Sequence, residues 1–238
     1  MNLKEAENIK KKLKSSNIFF LEAIAYRTHP QTKLVLKLLK ENIIGNVIKI
    51  KSEFGFDAGV PNINSRLFNK KLGGGSIWDL GCYPITFSNL IANYRHNEKE
   101  IIPKLREVSG EIHELGIDLN AKAKLIYENS ITSDISVSIN QSFKNETEIF
   151  GSKGTIKILD PWLPKKKNII EVKKDNKIEK ITSNAELEVF ANQINYFNSF
   201  VQNKNLKEDY PAMSIDNSVN YMKVMTEWRD LVLKNESK

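Results

Sequence analysis

The apolar positions change period three times within the first fifty residues. In residues 2–16, Leu3, Ala6, Ile9 and Leu13 recur on one side of a lysine-rich segment, which predicts a helix with one apolar stripe, ending near Ser15, Ser16 and Asn17. Residues 18–26, IFFLEAIAY, follow as a nearly unbroken apolar run with one charge, the pattern of a strand covered on both faces in a parallel sheet. After Pro30, the spacing of Val35, Leu38 and Leu39 predicts a second amphipathic helix, closed near Asn42 and Gly45.

From Val47 the pattern turns to strand: Val47, Ile48, Ile50, Phe54 and Phe56 lead into a long loop over residues 57–75 with Gly59, Pro61, three asparagines and a triple glycine. Loops of such length in compact domains are usually functional or mobile. A helix is predicted over residues 77–94, followed by strands near 108–117, 119–127, 132–143, 146–150 and 155–159. In the third of these, Ile135, Val137 and Ile139 alternate with Ser136, Ser138 and Asn140, the period-2 sign of a sheet with one polar face. Turns at Gly116-Ile117-Asp118 and Glu128-Asn129-Ser130 make an antiparallel meander the simplest arrangement. Helical pattern returns over residues 186–202 and 213–233, separated by a polar turn with Pro211.

Composition narrows the function classes. With 238 residues, 40% apolar and 27% charged, the chain has material for an ordinary core, and disorder and collagen-like order are excluded. No segment reaches the roughly 20 apolar residues of a membrane span, and no apolar run follows the basic start as in an export signal. The single cysteine, Cys82, closes no internal disulfide, no zinc-type Cys/His cluster exists, and a reducing cytoplasm is the expected location. The net charge of +7 comes from 31 Lys and only 5 Arg. Base and phosphate recognition favours the arginine fork, so no nucleic-acid partner is expected, and none in a membrane.

Candidate chemistry concentrates in residues 73–84, GGGSIWDLGCYP, where three glycines deliver the chain to a helix start at Ser76. Asp79 and Tyr83 stand four apart, so a carboxylate and a phenol share one helix face beside the loop. A phenol is a useful acid/base toward alcohol and carbonyl oxygens, although its ordinary pKa near 10 leaves it protonated at neutral pH. The alternative is that Ser76 and Asp79 form a capping box and Tyr83 is a core aromatic. Pro84 either kinks this helix or marks its true first turn. Tyr26, Arg27 and His29 fall just after the apolar run, where open α/β sheets place ligands, with a hydrogen-bonded helix N-terminus as the other reading of His29. Arg66 lies in the long loop, as a surface or site arginine. Trp162, in Asp160-Pro161-Trp162-Leu163-Pro164, lines a pocket or plugs a sheet end.

Taken in order, EAIAYRTHPQ (residues 22–31), IGNV (44–47), SRLFNKKLGGGSIWDLGCYPI (65–85) and GSKGTIKILDPW (151–162) resemble the Gfo/Idh/MocA oxidoreductases, in the branch with dimeric dihydrodiol dehydrogenase and D-xylose dehydrogenase. The resemblance implies an α+β fold, an open, mostly antiparallel sheet with helices on one face, preceded by a Rossmann domain that binds NAD or NADP. It implies catalytic roles for Tyr83 and Asp79, and a cleft lined by Tyr26, Arg27, His29, Arg66 and Trp162. A tyrosine would handle the hydroxyl proton while nicotinamide handles the hydride.

The sequence departs from the family in one respect. The family's Gly-rich dinucleotide turn, its acidic ribose ligand and its Glu-Lys-Pro lysine have no counterpart here. Residues 1–26 are therefore expected to be the last helix and strand of a Rossmann domain, with 27–238 the substrate and dimerisation domain. The expected function is the substrate-binding, catalytic portion of an NAD(P)-dependent dehydrogenase of a sugar, polyol or cyclic diol, incomplete as a single chain. The alternative is a non-enzymatic sugar-binding or scaffold module. A homo-oligomer through the open sheet is expected, together with an apolar sheet edge at residues 18–26.

Overall fold

The structure, a computed structural model, describes residues 2–16, 18–95, 100–203 and 210–236. Strands β1 (Val47–Gly55), β2 (Lys104–Ile112), β3 (Asp118–Ile126), β4 (Thr132–Ser138), β5 (Thr147–Gly151), β6 (Thr155–Ile158), β7 (Lys167–Lys174) and β8 (Lys177–Asn184) form one sheet in the order β2-β3-β4-β1-β5-β6-β7-β8. Only the β1/β4 pair is parallel; the other neighbours are antiparallel. The expected meander is thus interrupted by β1, which inserts between β4 and β5.

Alternation decides which face is covered. Ile50, Ala121, Ile135, Val137, Ile149 and Ile156 point to one side and are fully or almost fully buried. Against that side lie α2 (Pro30–Lys40), α3 (Ser76–Leu80), α4 (Cys82–Ala92) and α6 (Ile215–Glu236). The other face carries charges in cross-strand pairs, Lys49 with Asp134 at 2.5 Å and Lys157 with Glu146 at 2.6 Å. This is the expected α+β architecture, with helices on one face and the core between.

Residues 18–26 depart from expectation and form no strand. Ile18 is 64% exposed, and the Phe19 ring stacks on Phe200, centroids 5.2 Å apart. The Glu22 carboxylate accepts the Tyr221 hydroxyl of α6, and Ala25–Thr28 form a 3-10 turn. A strand needs a neighbouring ladder for its amides and carbonyls, and none of the described strands runs beside this segment. The expected apolar sheet edge is therefore not formed.

Apolar exposure sits instead on α5 (Val189–Gln202), where Phe190, Ile194, Phe197 and Val201 follow helical spacing and are 60%, 60%, 37% and 53% exposed. Contiguous apolar patches of this kind promote association. Phe190→Glu combined with Ile194→Glu should raise the concentration at which the chain stays monodisperse in light scattering, with little change in melting midpoint. A large fall in that midpoint would show that these side chains support packing.

The helix predicted over 77–94 is two helices joined at Gly81. Pro84 stands in the first turn of α4 and offers no N–H to the Leu80 carbonyl, which breaks the ladder at that point. Two strands were missed in the sequence. In β7, Asn168, Ile170 and Val172 face inward while Glu171 and Lys173 face outward. β8 is mostly exposed, and the β7–β8 turn places Asp175 and Asn176 at φ 48° and 60°, as in a two-residue hairpin.

Candidate active site

The Gly73-Gly74-Gly75 segment brings the chain sharply against β3. Gly75 has φ 112°, and a Cβ there would lie 2.5 Å from Asp118 Oδ1, so the close approach requires glycine. Asp118 then substitutes for a local cap: its Oδ2 accepts from Ile77 N at 2.6 Å and from Ser76 Oγ at 2.8 Å. The alternative reading, a capping box of Ser76 and Asp79, does not hold. Ser76 donates to Asp118, and Asp79 instead pairs with Arg66 from the 3-10 turn Arg66–Phe68.

Tyr83, on α4, stands half-buried in an aromatic cluster. Its ring meets Phe54 of β1 edge-on at 5.0 Å, Trp162 at 6.0 Å and Tyr26 at 6.4 Å. The two tyrosines are in different states. Tyr26 is fully buried and its hydroxyl lies 2.7 Å from Thr86 Oγ1, whereas the Tyr83 hydroxyl has no hydrogen-bond partner among the described residues. Burial, then the neighbouring Cys82 and Asp79, push the Tyr83 phenol up to about 12. Burial also raises Tyr26 and the Cys82 thiol, so the cysteine is an unactivated thiol.

These shifts give alkaline conditions a definite sign. A phenol whose folded pKa exceeds its unfolded value contributes stability that is fully present below pH 10 and is lost as pH rises through the folded pKa. Urea midpoints should therefore begin to fall near pH 9, where the unfolded thiol ionises, and fall more steeply from pH 10 toward 12. A constant midpoint across that window would show Tyr83 and Tyr26 to be solvated like free tyrosine.

The other predicted positions divide. Trp162 joins the cluster as a plug: it is 2% exposed and its Nε1 donates to the Glu53 carbonyl at 2.9 Å. With Phe54, Asn145, Asp160, Pro161 and Leu163 it also lines a cleft of about 120 Å³. Arg27 is buried away from that cleft, donating through Nε to the Pro211 carbonyl at 2.5 Å and through Nη1 to the Thr86 carbonyl at 3.0 Å. His29 caps α2, its Nδ1 accepting from Gln31 N at 3.1 Å, and burial lowers its pKa. Asp118, Arg229, Phe54 and Glu22 were not singled out as site residues in the sequence, where Asp118 stood only as a turn residue, Phe54 as a strand residue and Glu22 at the start of a quoted motif.

Does this arrangement fit a dinucleotide? The glycine-led start of α3 is the nearest approach to a phosphate-binding turn, yet the Asp118 carboxylate already takes its Ile77 amide and Ser76 hydroxyl. A second anion there would have to displace the buried Asp118 carboxyl from both donors, so this turn does not cradle a pyrophosphate. What the cluster offers is proton chemistry: a protonated, unengaged phenol beside a carboxylate held by arginine.

A mostly antiparallel open sheet with helices on one face, with a carboxylate on the glycine-led α3 and a tyrosine in the first turn of α4, defines an α+β architecture. Residues 32–157 match the family model of the GFO/IDH/MocA C-terminal domain, and the chain belongs to that family. Trans-1,2-dihydrobenzene-1,2-diol dehydrogenase of Xenopus tropicalis is 31% identical over 166 residues, 69% of this chain and 47% of that protein. The Homo sapiens protein of the same name is 26% identical over 166 residues, again 69% and 47%. The chain spans about half the length of the curated relatives it matches. Among solved structures, KijD10, a 3-ketoreductase from Actinomadura kijaniata in complex with NADP and TDP-benzene, superposes with a TM-score of 0.82 at 17% identity, covering 98% of this chain and 67% of that one. Aldose-aldose oxidoreductase from Caulobacter crescentus, complexed with glycerol, gives 0.79 at 15% identity, covering 98% and 68%.

Proposed function

We propose that this chain is the substrate-side, proton-transferring part of a nicotinamide-dependent oxidoreductase acting on a hydroxyl or carbonyl of a cyclic diol, polyol or sugar. The carrying observation is the Tyr83 hydroxyl, half-buried and unengaged beside the Asp79–Arg66 pair. In the reducing direction the phenol donates its proton to the oxygen of the carbonyl; in the oxidising direction the phenolate takes the hydroxyl proton. Burial favours the protonated phenol, so a cation brought beside Tyr83 would ease the oxidising direction. Asp79 holds Arg66 at the rim, where the guanidinium is placed to receive an oxygen-rich ligand.

NAD or NADP, where bound, would supply the hydride, and the relatives named above support that class of cofactor. The glycine-led turn at α3 does not make the pyrophosphate cradle, and among the described residues no other glycine-rich helix start takes its place, so residues 27–238 are the substrate-side domain in this reading and residues 1–26 the join to a dinucleotide-binding domain. In it, α1 (Leu3–Lys14) lies against α6. The charged face of the sheet, with its alternating ion pairs, is the surface offered to a second copy. The test is turnover: the 238-residue chain alone should reduce neither NAD nor NADP with trans-diols, pentoses or polyols, while an assembly with a dinucleotide-binding domain should. Turnover by the chain alone at ordinary enzyme rates would overturn this division of labour.

A second reading, a non-enzymatic sugar-binding or scaffold module, is favoured by the capped α3 terminus. It predicts ligand binding without turnover even when a dinucleotide-binding domain is present.

A further inference from the structure

The Asp118 carboxylate is the most completely buried charge among the described residues that the proton chemistry does not use, and its surroundings single it out. It is 0% exposed, on the first residue of β3, and faces the start of α3. Oδ2 takes two donors from adjacent residues, Ser76 Oγ and Ile77 N, while Oδ1 accepts no hydrogen bond among the described residues and lies 3.5 Å from Arg229 Nε of α6, an ion-pair approach. Arg229 is itself fixed, its Nη2 donating to the Gly116 carbonyl at 3.2 Å. Burying a carboxylate is costly unless it is paired and hydrogen-bonded. A cap alone needs only a Ser, Asp or Asn at position 75, which here is glycine. A carboxylate imported from the sheet does more, because two bonds to successive residues fix both the position and the rotation of the helix start.

We propose that Asp118, bonded to Ser76 and Ile77 with Arg229 facing its free oxygen, is the positioning residue for the Asp79/Tyr83 pair: it ties the start of α3 to the sheet and so sets where the phenol stands. Tyr83 stands in the first turn of α4, which follows α3 directly at Gly81, so a shift in the start of α3 is passed to the ring through that one-residue join, and displacements of about 1 Å cost catalysis heavily. Cys82 adjoins Tyr83 and is the only cysteine, so its thiol reports on the same segment. The inference rests on the reading of Tyr83 as the proton donor, but its test requires no activity.

The experiment compares wild type, Asp118→Asn and a control, Ala123→Gly, which loosens buried β3 without touching α3. Two signals are read on the folded chain: the Tyr83 ring resonance in carbon-13 tyrosine spectra, assigned by its loss in Tyr83→Phe, and the rate at which Cys82 reacts with Ellman's reagent. Asp118→Asn should shift the Tyr83 resonance and speed Cys82 labelling at least tenfold, while Ala123→Gly leaves both near wild type. Should Asp118→Asn fail to fold, Ser76→Ala, which removes one of the two bonds, should move both signals in the same direction by less. Unchanged Tyr83 and Cys82 signals in the folded variant, or equal changes in Ala123→Gly, would overturn the proposal and leave Asp118 a stabilising cap. Failure of the proton-donor reading would show separately, as unaltered turnover in Tyr83→Phe.

Discussion

Tyr83→Phe should lower turnover roughly 100- to 10,000-fold in an assembly that joins this chain to a dinucleotide-binding domain, the range for loss of a general acid/base. The substitution removes one oxygen and leaves the ring against Phe54, Trp162 and Tyr26. Because that hydroxyl bonds to none of the described residues, its loss should leave stability within about 0.5 kcal/mol of wild type, as for substitutions that break no native interaction. Activity lost with stability kept is the signature of a group acting on the substrate. A loss of turnover below threefold would return Tyr83 to the packing role. The same replacement at Tyr26 should behave oppositely, since that hydroxyl is engaged with Thr86 at 2.7 Å. Tyr26→Phe should cost about 1 kcal/mol, the usual net worth of a buried hydrogen bond.

Trp162→Ala should produce the largest stability loss in the cluster, about 3–5 kcal/mol. The indole is 2% exposed and meets Tyr26, Phe54, Phe87 and Tyr83 at centroid distances of 5.8–6.0 Å. Its N–H holds the Glu53 carbonyl of β1. Removing it opens a cavity between β1 and α4 and strips edge-to-face contacts from the ring meant to carry the chemistry. Urea denaturation at neutral pH, with the slope unchanged, measures the loss. A value under about 1 kcal/mol would identify Trp162 as a pocket wall that a ligand completes, and the cluster would then be a binding cavity.

The sequence made some of this legible for identifiable reasons. α2, α6 and β4 show one buried face each, so spacing located them. The glycine-led segment exposed Asp79 and Tyr83 because a tight turn and a four-residue spacing are local features. Residues 18–26 misled because an unbroken apolar run reads alike whether it is a buried strand or an irregular segment whose side chains go to different neighbours: Phe19 to α5, Glu22 to α6, Tyr26 to α4. β7 and β8 were hidden by lysines and glutamates on strands with only a few inward apolar residues. The long-range pairings were the least visible. Arg66 meets Asp79 across 13 positions, and Asp118 meets Ile77 across 41, separations at which no periodicity operates. Asp118 looked like a turn residue because the turn is local and its partners are not.

The most direct test of the central claim is a ligand titration of the carbon-13 tyrosine-labelled chain with trans-diols, polyols and aldoses, following the assigned Tyr83 and Tyr26 rings. The account predicts that at least one of these compounds moves the Tyr83 resonance saturably while Tyr26, buried and bonded to Thr86, stays in place. A Tyr83 resonance indifferent to every compound, or one that never moves without Tyr26, would contradict it.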